Sequence, residues 1–315
     1  MNTLCRKLLL KTTRVSFFKK WLMNQHNIYS VAQITYSPDV FVMHGSAIME
    51  NVMLCNTMFP PFFDVYVCNS PTETIEMNMY HLYKIIGRVT SFRYNSITIE
   101  IYDATEYKMV VICFKTENKS DEYHIRCPCV KQPTSILQII PNKSDPYITV
   151  HLDGAVLCAA LSKFETDVFQ KVSFAFKLNK HRQAMLCMDT TETYMLALRG
   201  QTDMMKGVVS IPIRKYCYHS NNSNNSNHSN HNVEFEHLQQ FKMKAFSIES
   251  LSKCVHFYHL SEGKTVQMVF YTVSNVLMLI FPIKNSGRVE VLLPPVQTHY
   301  DTENYVSSPS SSDSE

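Results

Sequence analysis

Glycine is scarce in this sequence, and the motifs that many enzymes build from it are missing. The 315 residues include 7 glycines and a single tryptophan. There is no glycine-rich phosphate loop, no Gly-x-Ser-x-Gly elbow, no His-Glu-x-x-His pair and no Cys-x-x-Cys pair. The acidic residues mostly stand alone in predicted turns, so no paired-carboxylate nuclease site stands out. These absences argue against an enzyme, and they predict a chain that needs no cofactor.

The chain also lacks a strong excess of charge and a long apolar run. The formal net charge is +3, so contact with nucleic acid would require a few cations gathered on one surface. The longest apolar run, from Val276 to Phe281, is far too short to span a bilayer, which predicts no membrane partner. The 10 cysteines show no disulfide framework, and this favours a reducing compartment.

The first 22 residues carry six cations and no acid, a composition that also occurs in mitochondrial presequences. The alternative is ordinary secondary structure, with a strand over residues 4–11 and a helix over 13–26. Val15, Phe18 and Leu22 would then share one helical face, and the lysines would lie on another. We prefer this second interpretation.

The sequence repeats its own apolar pattern. Residues 77–85 resemble residues 246–254, which lie 169 positions later, and the same offset holds for about fifty residues. A repeat of this length predicts two copies of one domain, each with helices and strands in period-two alternation. The matched residues further along are Ile97 with Val266, Ile99 with Met268, Ile101 with Phe270, Met109 with Met278, Val111 with Ile280, Lys115 with Lys284, and Asp121 with Glu290.

Punctuation by proline and polar residues divides the chain. We predict a first domain over 1–125, a proline-rich connector over 126–147 and a second domain over 148–298. An Asn, Ser and His tract at 219–232 would loop out of the second domain, and an acidic serine tail would occupy 299–315. The four predicted helices cover 13–26, 78–89, 153–165 and 248–260.

Two groups of residues have side chains that could hold a metal ion. Cys127 and Cys129 lie near His124, but their Cys-x-Cys spacing and the lack of a second pair favour a structural role. The polar tract contains His219, His228 and His231, without a cysteine partner or a scaffold to fix them. We therefore predict no metal site.

Cations lie opposite the apolar stripes of the predicted helices. For any single helix a solvated face is the better explanation, but four helices without a conspicuous acidic stripe favour a shared surface facing phosphate. The candidate DNA-facing residues are Lys19, Lys20, His81, Lys84, Arg88, Lys163, Lys253 and His256.

This organisation resembles the DNA sliding clamps of the proliferating cell nuclear antigen (PCNA) type. The resemblance covers roughly residues 4–297, and its best local points are residues 62–66, 79–86 and 266–294. It implies an α+β fold of two clamp domains, each with two inner helices and outer antiparallel sheets. It also implies a trimeric ring with other clamp subunits, sequence-independent binding of double-stranded DNA, a clamp loader and a nuclear location.

Within that superfamily, the pattern at residues 58–63, the connector sequence at 134–138 and the serine-acidic tail look most like the tailed Rad-nine-type subunit of the 9-1-1 checkpoint clamp. That resemblance implies a DNA-damage checkpoint and repair role and a tail that is phosphorylated to recruit a BRCT-domain mediator. The implied partner groove contains Ile136, Leu137, Ile139 and Ile140, and the implied phosphosites are Ser308, Ser312 and Ser314.

Two alternatives remain. A replicative processivity factor, cellular or viral, would share the clamp fold but would form a homo-oligomer and bind a DNA polymerase. An enzyme that used the region of Cys127, Cys129 and His124 would require bound metal.

Overall fold

The computed structural model describes residues 5–47, 52–88, 94–104, 106–128, 141, 144–164, 166–180, 192–219 and 244–296. Strands dominate these ranges, and four α-helices interrupt them. The first half contains β1 (Cys5–Thr12), α1 (Val15–His26), β2 (Val31–Tyr36), β3 (Phe41–Ala47), β4 (Val52–Met58), β5 (Val65–Cys68), β6 (Glu73–Asn78), α2 (Met79–Gly87), β7 (Ser96–Asp103), β8 (Tyr107–Lys115) and β9 (Ser120–Pro128).

The second half follows the same order of elements. It contains β10 (Tyr147–Asp153), α3 (Gly154–Leu161), β11 (Lys171–Lys180), β12 (Glu192–Gln201), β13 (Lys206–Pro212), β14 (Lys215–His219), β15 (Phe246–Ser247), α4 (Ile248–Val255), β16 (Thr265–Tyr271), β17 (Leu277–Ile283) and β18 (Gly287–Leu293). Short 3-10 helices cover Pro60–Phe62, His256–Leu260, Glu262–Lys264 and Lys284–Ser286.

All four predicted helices are present, with shorter ends than predicted. Helix α2 begins where Asn78 accepts a hydrogen bond from the Tyr80 backbone N–H, and α3 begins where Asp153 accepts from two backbone N–H groups. The predicted helix over 248–260 is α-helical only to Val255 and continues as a 3-10 helix to Leu260.

The start of the predicted connector is partly strand. Residues 126–128 belong to β9, where Cys127 is buried and Pro128 takes the last position opposite Tyr107. Proline is tolerated there because β9 is an edge strand. On the open side of an edge strand a backbone N–H is not needed for pairing within the sheet. The chain enters β10 at Tyr147, the last residue of the predicted connector.

Antiparallel pairing builds three sheets from these strands. The first domain contributes a five-stranded sheet in the order β5-β1-β7-β8-β9, and the second contributes a four-stranded sheet in the order β13-β12-β11-β15. A nine-stranded sheet, β14-β10-β16-β17-β18-β4-β3-β2-β6, runs through both domains. Its continuity depends on one antiparallel pair, β18 with β4, in which Glu290 lies opposite Cys55.

The two halves are duplicates in three dimensions as well as in pattern. The unit β6-α2-β7-β8-β9 corresponds to β15-α4-β16-β17-β18, and the pairs of Met77 with Ala32 and of Phe246 with Val172 occupy equivalent places. In both halves an aromatic ring that follows the first helix lies over a glycine of the sheet: Tyr29 over Gly45, and Phe164 over Gly200.

A single offset does not describe the whole duplication, because the hairpins differ in length. If Ile101 is matched to Phe270, their ladder partners are Val110 and Leu277, and the first hairpin is longer by two residues. When the same correspondence is followed across the β8–β9 and β17–β18 ladders, Glu122 matches Glu290. The sequence-based match of Asp121 with Glu290 is therefore wrong by one position, and the matches of Met109, Val111 and Lys115 are wrong by two.

The N-terminal segment is part of the core rather than an appendage. Strand β1 pairs with β5 and β7 and buries Leu8 and Leu10, and α1 buries Phe18 and Trp21. These contacts agree with the strand and helix that we preferred for this segment. None of the helices described is both long and apolar enough to span a bilayer.

Candidate nucleic-acid interface

The helices of both domains join in one layer. Within each domain the two helices pack together, α1 on α2 and α3 on α4. Helix α1 also contacts the 3-10 segment His256–Leu260, which in turn packs against α3 and α4. A continuous helical surface therefore crosses the boundary between the domains.

Helix α2 presents the most cationic part of this surface. Met79, Leu82 and Ile86 are buried against the sheets. On the opposite side His81, Lys84 and Arg88 are exposed, as their spacing predicts. No ion pair joins Lys84 or Arg88 to an acid among the residues that the structure describes.

A second group of cations lies where the domains meet. Lys20 is exposed on α1, and His256 and His259 are exposed on the 3-10 segment that packs against it. Burial and the nearby charges of His256, Lys20 and Lys264 lower the pKa of His259. These neighbouring groups repel one another when they are positively charged. A bound anion would reduce that repulsion and would therefore be stabilised here.

The helices of the second domain contribute fewer cations than we predicted. Lys163 is exposed, but it lies two residues beyond the end of α3, and α3 itself has no charged residue. Lys253 is only half exposed, and its ammonium group lies 3.0 Å from the carboxylate of Glu249. Helix α4 has no acidic stripe, but this one exposed acid lies beside its lysine and offsets the charge. Lys19 of α1 is also only half exposed.

Sequence reasoning missed an aromatic cluster beside the α2 cations. Tyr80 is 51% exposed, and the Lys84 ammonium lies over its ring, 5.2 Å from the centroid. The ring of His81 contacts the Tyr80 ring edge-on at 6.0 Å. At the end of α1, His26 stacks on Tyr83 at 4.2 Å. Apolar periodicity counts tyrosine as a core residue, which hides its exposure. The sequence signal that could have revealed it is that Tyr80, the second residue of α2, lies off the apolar stripe of Leu82 and Ile86.

The candidate metal-ligating residues that the structure describes, His124, Cys127 and His219, are not brought together. On β9 the exposed His124 bonds Glu122, whereas Cys127 is buried on the other face, where burial raises the pKa of its thiol to about 12. His219 lies in β14 and stacks on Tyr147. No group of three or more possible ligands occurs in the described residues, and Cys129, His228 and His231 lie outside them.

The remaining candidate sites also fall outside the described residues. They are the partner groove (Ile136, Leu137, Ile139 and Ile140), the phosphosites (Ser308, Ser312 and Ser314), the tail at 299–315 and the tract at 219–232 apart from His219. For these segments our expectations remain predictions from the sequence.

No protein-family model matches this sequence, and no curated protein matches it significantly. The solved structures do provide a match. The chain is similar to the crystal structure of Proliferating Cellular Nuclear Antigen from Entamoeba histolytica, with a TM-score of 0.65 at 12% sequence identity. The match covers 93% of this chain and 100% of that one. The chain has the fold of a sliding clamp.

This result confirms the predicted fold class, a two-domain α+β clamp with mostly antiparallel sheets. At 12% identity the likeness extends to the fold alone, so the function must be argued from the edges and surfaces of this chain.

Proposed function

We propose that this chain is a non-catalytic subunit of a ring that encircles double-stranded DNA. One observation carries the proposal. The two domains are joined by a pair of strands, and the duplication places an equivalent of each of these two strands at a sheet edge. Strand β18 pairs with β4, and the equivalent strands, β9 and β13, are both open sheet edges. Two complementary sheet edges on one chain can each pair with a neighbouring subunit, head to tail. If the rotation between subunits is suitable, repeated pairing closes a ring.

The register of the internal pair indicates how neighbouring subunits would meet. Glu290 lies opposite Cys55, and the duplication places Glu122 and Val208 in the corresponding positions. The β13 edge exposes apolar side chains, since Val208 is 54% exposed and Met204 and Met205 precede it in an exposed turn. Such a patch on a soluble protein marks a contact surface.

The helical layer supplies the surface that would face DNA. Helices α1, α2 and α3 contain no acidic residue, and the exposed cations Lys20, Lys84 and Arg88 can contact phosphates without reading bases. Lys19, Lys163, Lys253 and the histidines His81 and His256 would add weaker contacts. Binding of this kind is independent of sequence, as movement along DNA requires.

An edge substitution tests the assembly. Val208→Asp places a charge on the proposed interface without entering the core, and it should lower the mass of the assembly purified from cells, because the neighbour at the β13 edge is lost. The matched control is Val67→Asp, because Val67 is 41% exposed on β5, the other edge of the five-stranded sheet. An assembly that survives Val208→Asp, or that is lost equally with Val67→Asp, would contradict the proposed interface.

For the finer role, we propose the tailed subunit of a 9-1-1-type checkpoint clamp in the nucleus. Support comes from the sequence at residues 58–63, the connector at 134–138 and the serine-acidic tail. In this role a clamp loader places the ring on DNA and the partner groove binds repair factors. Phosphate at Ser308, Ser312 or Ser314 would add about −1.5 to −2 charges per site, enough for a basic BRCT-domain pocket to recognise.

Deletion of residues 307–315 tests this role. An exposed terminus contributes little to stability, so folding and assembly should be unchanged while checkpoint signalling fails. A full damage response from the truncated protein would contradict the checkpoint role and leave the ring proposal intact.

The second candidate is a homo-oligomeric polymerase processivity factor, which is favoured by the presence of both edges on one chain. Mixing a Glu122→Cys chain with a Val208→Cys chain distinguishes the two. Disulfide-linked pairs would support a ring of identical copies, and recovery of the chain with other clamp-fold subunits would support the checkpoint clamp.

A further inference from the structure

The exposed aromatic surface of α2 suggests a ligand other than duplex DNA. We propose that Tyr80 is a stacking platform for an unpaired base, so that this domain holds single-stranded DNA where it leaves the duplex. The inference rests on the proposed clamp function and adds a ligand to its inner surface. The Tyr80 platform, as we define it, consists of Tyr80 with the flanking cations His81, Lys84 and Arg88.

The geometry fits a nucleotide strand. Tyr80, Lys84 and Arg88 recur every four residues and so follow one side of α2 over about 12 Å, at a rise of 1.5 Å per residue. The Lys84 ammonium lies over the Tyr80 ring, 5.2 Å from its centroid, and would move aside to contact the phosphate of a base stacked on that ring. One aromatic face followed by two cations is the combination that single-strand binding proteins use.

A duplex gives little reason for an exposed ring at this position. Its bases are stacked inside the helix, and the sugars and phosphates that it presents are bound well by lysine and arginine alone. An unpaired strand, by contrast, displays base faces, and every base offers one regardless of sequence. A tyrosine that is 51% exposed, beside two cations that lack an acidic partner among the described residues, is therefore better matched to unpaired DNA.

The second copy of the domain provides an internal comparison. The offset of 169 matches Tyr80 with Glu249 and Lys84 with Lys253. In α4 the carboxylate of Glu249 pairs with Lys253 at 3.0 Å, which offsets the charge of the lysine and repels phosphate. The same two helical positions thus hold an aromatic ring and a cation in α2, but an ion pair in α4. Only α2 has the chemistry of a nucleotide site.

Exchange of these residues tests the proposal on the full chain. The measurement is fluorescence anisotropy with labelled oligo(dT) and with a duplex of the same length. Tyr80→Ala should weaken oligo(dT) binding about tenfold, the lower part of the range for loss of one base stack, and should change duplex binding less than about twofold. Tyr80→Phe keeps the ring and should bind oligo(dT) as the unmodified chain does. Tyr80→Glu, which copies α4, should weaken binding further.

A reciprocal variant and a spectroscopic probe complete the design. Glu249→Tyr should strengthen oligo(dT) binding, because it removes the carboxylate and creates a second platform beside Lys253. A strand that carries 2-aminopurine should show a fluorescence change on binding that Tyr80→Phe retains and Tyr80→Ala loses. Equal effects of Tyr80→Ala on both DNA forms, or no effect on either, would overturn the proposal. In either case the assembly test with Val208→Asp would still decide the ring separately.

Discussion

Asn56 connects three parts of the molecule through one buried side chain. Its amide oxygen accepts a hydrogen bond from Trp21 Nε1 of α1 at 3.0 Å, and its amide nitrogen donates to the Met43 carbonyl of β3 at 3.2 Å. Asn56 lies on β4 opposite Val289 of β18, at the junction of the two domains. Helix α1 and the domain junction are thus held by the same residue.

We predict that Asn56→Leu lowers the free energy of unfolding by about 1–3 kcal/mol, because the buried Trp21 N–H loses its acceptor. Urea denaturation measures the change. In the double variant with Trp21→Phe the donor is gone as well, so the combined loss should be smaller than the sum of the two single losses. Strict additivity would show that the hydrogen bond contributes nothing.

A charged cluster joins the two sheets of the first domain. Glu73 of β6 accepts hydrogen bonds from Lys108, Ser70 and Tyr36, and Lys108 also contacts Asp103 at 2.6 Å. Burial alone would raise the pKa of Glu73, but these hydrogen bonds outweigh it and lower the pKa from its ordinary value of 4.5. The charged form of Glu73 is therefore favoured by folding.

This sign fixes the expected pH dependence. A lowered pKa in the folded chain contributes stability above the ordinary glutamate range, and that stability is lost as the pH falls below about 4.5 towards the folded value. Glu73→Gln should make the chain less stable at neutral pH and should flatten the fall in stability on acidification. Denaturant midpoints across the acid range test this, and an unchanged slope would contradict it.

The helices and strands differ in how far the sequence determined them. Helix α2 was predictable because Leu82 and Ile86 form its apolar stripe, and the exposed cations followed from the same periodicity. The pairing of β18 with β4 could not be predicted, since it joins segments more than two hundred residues apart by a register that no local pattern encodes. The ion pair of Lys253 does not follow from apolar periodicity. It depends on Glu249, which lies four residues earlier and therefore one helical turn away.

The α2 cations give a prediction for duplex binding. Lys84→Glu with Arg88→Glu should weaken retention of the assembled protein on DNA and reduce the slope of log K against log salt by up to about 2, from two lost phosphate contacts. The control is Lys177→Glu with Lys215→Glu, which makes the same change in net charge on exposed strand positions away from the helices. Equal losses in both variants, or unchanged retention at low salt, would remove these residues from the interface.

The whole molecule is a pair of matched domains joined by β18 and β4. The equivalents of these two strands, β9 and β13, are edge strands in the sheets that the structure describes. The predicted duplication and the two-domain α+β fold class followed from apolar periodicity over long distances, which tolerates loss of identity. The open edges β9 and β13 became apparent only from the strand order, because an edge strand and a central strand can carry similar patterns.

Encirclement of DNA is tested most directly by topology. The assembled protein, purified with whatever subunits accompany it, is loaded on circular plasmid, washed with high salt, and measured before and after the plasmid is cut once. A ring that holds DNA by topology should remain on the circle through the wash and should slide off the ends after linearisation. Equal retention on circular and linear DNA, or complete loss from the circle in salt, would contradict the clamp.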